Sequence, residues 1–124
     1  MKHFHYMHLG ILPTNFAFCM CEKSFKSEMK KIGFNDVKMI VGGDATCHTS
    51  TTDNGNYAFV CIELEKVKSS TPDKIIGLVV HECTHAWQFI RKSIGEKKPS
   101  AEFEAYIMQA LVQFCINYVL AVRS

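Results

Sequence analysis

The feature that most restricts how this chain can fold is the run from Pro72 to Ser93, where IIGLVV leads directly into HECTHAWQFI. Its apolar residues recur at three- and four-residue spacing, so the run reads as one long helix. Set into it are His81, Glu82 and His85. Ile75, Ile76, Val79, Val80, Ala86, Phe89 and Ile90 surround these three groups, which predicts a largely buried helix. Burying two imidazoles and a carboxylate without partners costs a few kcal/mol each. The fold is therefore expected to supply something that compensates them.

The helix has clear ends. Thr71-Pro72-Asp73 supplies an N-cap, a proline at the first helical position and an acid in the first turn, and Gly95 stops it. Ser100 caps a second long helix with Glu102 in its first turn. Gln109, Gln113 and Asn117 draw a polar stripe along that helix. Its run from Ile107 to Val122 reads as an amphipathic core helix, too short and too polar to span a bilayer.

Upstream, Ser24 to Ile32 reads as a short helix ended by Gly33. Val37 to Val41 is a short strand candidate stopped by Gly42-Gly43. Ala45 to Thr52 and Tyr57 to Leu64 read as strands joined by the turn signal Asp53-Asn54-Gly55. The second strand is apolar on both faces, so both are expected to be covered. The expected fold is α+β: a small sheet of two or three strands with a hairpin, packed on two long helices and one short N-terminal helix. At 124 residues, the chain reads as one domain over 1–124.

A net charge of +2 with only isolated lysine pairs, Lys30-Lys31 and Lys97-Lys98, argues against nucleic acid or an acidic membrane as partner. The six cysteines read as reduced, mostly buried thiols of a cytoplasmic protein. Cys19-x-Cys21 lacks zinc-ribbon spacing. Pro13 and Asn15 interrupt the apolar N-terminal run and no small-x-small site follows, so no signal peptide is expected.

His81 and His85, four apart, share one helical face and can bind one zinc ion. Glu82 falls beside them, where it can hydrogen-bond a water without ligating the metal. This is the H-E-x-x-H arrangement of zinc hydrolases. A third ligand is expected from Glu102 or Glu104. The two are ~200° apart on a helix, so only one can face the metal. Glu102 continues toward Tyr106, Gln109 and Gln113, which suits a wet cleft. Glu104 lies on the side of Met108, Leu111 and Cys115, and reads as a supporting or alternative carboxylate.

His81-Glu82-x-x-His85 followed by Glu102-x-x-Ala105 resembles the zincin metallopeptidases of the gluzincin kind. The resemblance implies His81, His85 and Glu102 as zinc ligands, Glu82 as general base and a minimal zincin-like domain. It departs from those families at Tyr106, where they place Asp or Asn to orient a ligand histidine. Support there would come from Glu104, a backbone carbonyl or the Tyr106 hydroxyl. The segments LGILPTNFAFC (9–19), EKSFKSEMKKIG (22–33), IIGLVVHECTHAWQFIRKSIGE (75–96) and KPSAEFEAYIMQAL (98–111) resemble a family of small phage- and prophage-encoded zincin-like proteins. That implies a bacterial host cytoplasm.

Tyr106, Tyr57 and His48 are candidates for stabilising an oxyanion, although each also has a plain packing role open to it. His3, His5 and His8 are explained by alternating exposure in an extended segment, and Trp87 and Phe89 by core and cleft wall. Tyr57 to Leu64 is a candidate edge strand for pairing an extended peptide. The expected function is a zinc-dependent metallopeptidase acting on a peptide or protein substrate. The alternative is a catalytically weak or inactive zincin-fold phage accessory protein that binds a host or virion protein.

Overall fold

The computed structural model describes residues 2–124. In chain order the elements are β1 (Phe4–Met7), β2 (Thr14–Cys19), α1 (Glu22–Lys31), β3 (Ala45–Thr52), β4 (Gly55–Ile62), α2 (Leu64–Ser69), α3 (Pro72–Ser93) and α4 (Ala101–Arg123). The strands form one mixed sheet in the order β1-β2-β4-β3. β1 pairs antiparallel with β2 and β3 antiparallel with β4, while β2 and β4 run parallel, with Thr14 opposite Asn56 and Cys19 opposite Cys61. The fold is α+β, as expected.

Side-chain alternation sorts the apolar residues of the two central strands onto two faces. Phe16, Phe18, Ala58, Val60 and Ile62 pack with α3 and α4 into the larger core. Ala17, Cys19, Phe59 and Cys61 pack with Phe25 and Met29 of α1 into a smaller one. Because both faces are covered, FAFC (16–19) and most of GNYAFVCI read as continuous apolar runs rather than alternating ones.

Several expectations need correcting. The sheet has four strands, since the N-terminal segment supplies β1 and β2. Val37 to Val41 forms no strand. There, Met39 is buried, its carbonyl is bonded by His48 Nε2 at 2.7 Å, and Gly42 and Gly43 turn the chain at φ +69° and +68°. Leu64 belongs to a short helix rather than to β4. Its N–H donates to the Met20 carbonyl at 3.0 Å, and Val67 one turn on is fully buried. β4 lies inside the sheet, so the free edge beside it is β3.

The two long helices follow their caps. Thr71 holds the extended N-cap backbone of α3 without a side-chain capping bond, and Gly95 follows at φ +72°. Ser100 Oγ accepts the Phe103 N–H at 3.1 Å to start α4. At its far end Arg123 Nη1 donates to the Val67 and Ser70 carbonyls at 2.6 and 2.7 Å, satisfying orphan acceptors at the end of α2. Gln109, Gln113 and Asn117 are exposed, whereas Leu111, Cys115 and Val119 are buried. The reading of this helix as too short and too polar for a bilayer does not hold. It has 23 residues and an 18-residue window of mean hydropathy 1.6, so it is long and apolar enough to cross a membrane by those two measures.

Candidate metal centre

α3 buries Ile75, Val79, Cys83, Ala86, Trp87 and Ile90 against the sheet and α4. His81 and Ile90 are nine positions apart, two and a half turns, which sets them on opposite sides of the helix. The His81 side chain is accordingly 66% exposed, and His85 is exposed as well. Ile76 and Val80 are also largely exposed. Of the three polar groups expected to be buried, only Glu82 is, at 7% exposure. The desolvation cost inferred from the sequence therefore falls on one carboxylate, and the histidines form a solvent-facing pair.

The geometry of that pair is specific. His85 Nε2 lies 3.2 Å from His81 Nε2, with the rings nearly perpendicular at 80°. Two nitrogens bound tetrahedrally to one zinc ion at ~2.05 Å would lie about 3.3 Å apart. His85 Nδ1 is 3.3 Å from Gln88 Oε1. An amide oxygen there can accept an N–H from Nδ1, and in that tautomer the Nε2 lone pair is left for a cation. Glu82 Oε2 stands 4.0 Å from His81 Nε2. One donor atom from each of His81, Glu82 and His85 lies within 4.8 Å of the others, the one such group among the described residues. Two imidazole nitrogens and a carboxylate oxygen are a donor set that zinc accepts.

Glu82 faces the sheet, beside Cys47 of β3. Burial, with Glu82 adding to it, pushes the Cys47 thiol up to about 12. That sulfur stays protonated at neutral pH.

The first turns of α4 do not bring Glu102 into the group. It is exposed, and Glu104 instead accepts a hydrogen bond from Trp87 Nε1 at 2.6 Å. Once Glu104 faces α3, a residue two positions earlier is turned away from it. Tyr106, 65% exposed, lies further along the same outer face as Glu102. Between α3 and α4 runs a groove of about 410 Å³ lined by Thr84, Trp87, Gln88, Arg91, Glu104 and Met108. Gln88, which the sequence reading did not single out, belongs both to this groove and to the His85 hydrogen bond. Its position three residues after a histidine of the motif was the available signal.

Two other candidates sit on the wrong face of the sheet. His48 lies opposite Phe59 and packs on Phe25, with ring centroids 4.7 Å apart on the α1 side. Tyr57 packs edge-on against Phe59 on that side. Neither is placed to meet a group held by His81 and His85. His5 stacks flat on Tyr118 with centroids 3.7 Å apart, and burial lowers its pKa. Comparison with protein-family models, with curated proteins and with solved structures finds no match to this chain.

Proposed function

We propose that this chain is a zinc-dependent metallopeptidase in which His81 and His85 hold the ion and Glu82 is the general base. The observation that carries this reading is the 3.2 Å convergence of the two Nε2 atoms beside a nearly buried carboxylate. The resemblance of H-E-x-x-H followed by an acidic helix start to gluzincins, and to small phage-encoded zincin-like proteins, points the same way and suggests a bacterial cytoplasm.

Bound zinc would supply Lewis acidity toward a water and a peptide carbonyl. The chain's own groups do the rest. Gln88 Oε1 accepts from His85 Nδ1 in the tautomer that presents the Nε2 lone pair. Glu82, kept from solvent, takes the proton of the attacking water and returns it to the leaving amine, so that peptide and water become acid and amine. Glu104 lines the groove beside Gln88 and is the α4 carboxylate on the α3 side. β3 offers a free edge next to Glu82, where an extended peptide could add by main-chain hydrogen bonds.

Glu82→Gln should keep the metal and lower chelator-sensitive hydrolysis of a peptide library at least about a hundredfold, the usual scale of general-base catalysis. His81→Ala should lose both metal and hydrolysis. Undiminished turnover in a zinc-loaded Glu82→Gln protein overturns the mechanism.

A second reading has its own observation. Neither Glu102 nor Glu104 joins the histidine group, so the ligand set lacks the carboxylate that is a gluzincin's third ligand. This favours a zincin-fold accessory protein that binds a host or virion protein without hydrolysis. A metal-loaded protein that cleaves nothing in the library supports this second reading.

A further inference from the structure

On the face of the sheet opposite His81 and His85, the two oxygens of Glu28 in α1 have different surroundings. Glu28 is 8% exposed. Its Oε1 accepts the Tyr6 hydroxyl at 2.8 Å. Its Oε2 is buried with no hydrogen-bond partner. Lys31 Nζ forms a salt bridge with this oxygen at 3.6 Å, longer than a hydrogen bond, from a side chain 63% exposed. Buried polar atoms nearly always have a hydrogen bond, so a carboxylate oxygen without one calls for an explanation.

Glu28 lines a groove of about 460 Å³ together with Tyr6, His8, Asn15, Ile32 and Tyr57. That volume is within the range of small-molecule sites. Asn15 and Tyr57 are register partners on neighbouring strands, so they share this face. Asn15 Nδ2 donates to the Asn56 carbonyl at 3.1 Å, which leaves Oδ1 as a free acceptor. Gly55 leaves room for this placement, since a Cβ there would crowd Asn15 Nδ2 at 3.2 Å. Tyr6 is fixed as a donor to Glu28. Burial and that hydrogen bond push its ionisation far above the ordinary phenol range.

The groove therefore combines one anionic oxygen, one neutral acceptor and two tyrosine rings. A divalent cation would want more hard oxygens than this. An anion would meet the Glu28 carboxylate. A single positive charge with N–H donors and an alkyl stem satisfies all the groups, the rings through cation–π attraction. We propose that this groove is a binding site for an organic primary ammonium group, seated on Glu28 Oε2 and Asn15 Oδ1 between Tyr6 and Tyr57. It is independent of the metal centre.

The test is a two-dimensional NMR titration of the intact protein with n-butylammonium. n-Butanol and butyrate serve as controls, and Nα-acetyl-lysine methylamide as a second ammonium. Saturable shifts confined to Tyr6, Asn15, Glu28, Tyr57 and their neighbours are expected, with butanol and butyrate at least tenfold weaker. Glu28→Gln keeps an acceptor for Tyr6 and should weaken binding at least tenfold. Lys31→Ala removes the competing cation and should tighten it. A lysine derivative binding tenfold tighter than butylammonium assigns the site to a protein lysine, and equal binding assigns it to free amines. Absence of saturable shifts, butanol binding as well as the amine, or weaker amine binding in Lys31→Ala would each overturn the proposal. Unchanged affinity in a folded Glu28→Gln protein would do so too. Should Glu28→Gln not fold, the butanol control and Lys31→Ala still decide.

Discussion

The indole N–H of Trp87 donates to Glu104 Oε2 across the α3–α4 interface at 2.6 Å, from a side chain only 3% exposed. This bond fixes the rotation of the start of α4 and turns Glu102 outward. Glu104→Ala would leave the indole N–H without its acceptor and should cost about 1–3 kcal/mol in urea unfolding. Glu104→Gln keeps an acceptor and should lose less than half of that. Trp87 is the only tryptophan, so its fluorescence follows the change directly. A Glu104→Ala protein as stable as the parent would show that the bond contributes nothing.

The same geometry predicts the behaviour of Glu102. Because it is exposed and outside the His81, Glu82 and His85 group, Glu102→Gln should leave zinc affinity within about twofold, whereas His85→Ala should lose at least a hundredfold. Isothermal titration with zinc separates these outcomes. A large loss in Glu102→Gln would restore it as a ligand and imply that α4 moves when metal binds.

Asp44, just before β3, ties two helices to the sheet. Its oxygens lie 3.2 Å from Lys66 Nζ of α2 and 3.5 Å from Lys74 Nζ of α3. The Lys66 hydrogen bond and the charges of both lysines hold the Asp44 carboxyl below its ordinary value of 3.8. A carboxyl depressed on folding adds stability above its unfolded pKa, and that contribution fades as pH falls through the folded one. The Tm of Asp44→Asn should therefore fall slightly short of the parent's at neutral pH. The gap should close below about pH 4, and also in 1 M salt, where exposed pairs are screened. A gap that widened in acid would contradict the assignment.

The elements the sequence made legible are those with local signals. Ser100, Gly95, Gly33 and the Asp53-Asn54-Gly55 turn marked α4, α3, α1 and the β3–β4 hairpin close to their observed bounds. β1 pairs only with β2, and β2 was missed because its place in the sheet depends on a non-local pairing. β2 is joined in parallel to β4 some forty residues later, and Pro13 and Asn15 made the segment look broken. Val37 to Val41 carried β-branched residues but no partner strand. The motif His81-Glu82-x-x-His85 was visible at once, yet its exposure was not. Ile76 and Val80 suggested an apolar surround, and in the fold both face outward. The pairing of Tyr6 with Glu28 depends on α1 crossing the sheet, which no local pattern encodes.

The most direct measurement is the metal content of the purified chain by elemental mass spectrometry, without added zinc, beside His81→Ala. A metal centre at His81 and His85 predicts close to one zinc per parent chain and almost none in the variant. A folded parent chain free of tightly held metal would contradict it, and would leave the 3.2 Å approach of the two imidazoles as an ordinary surface contact.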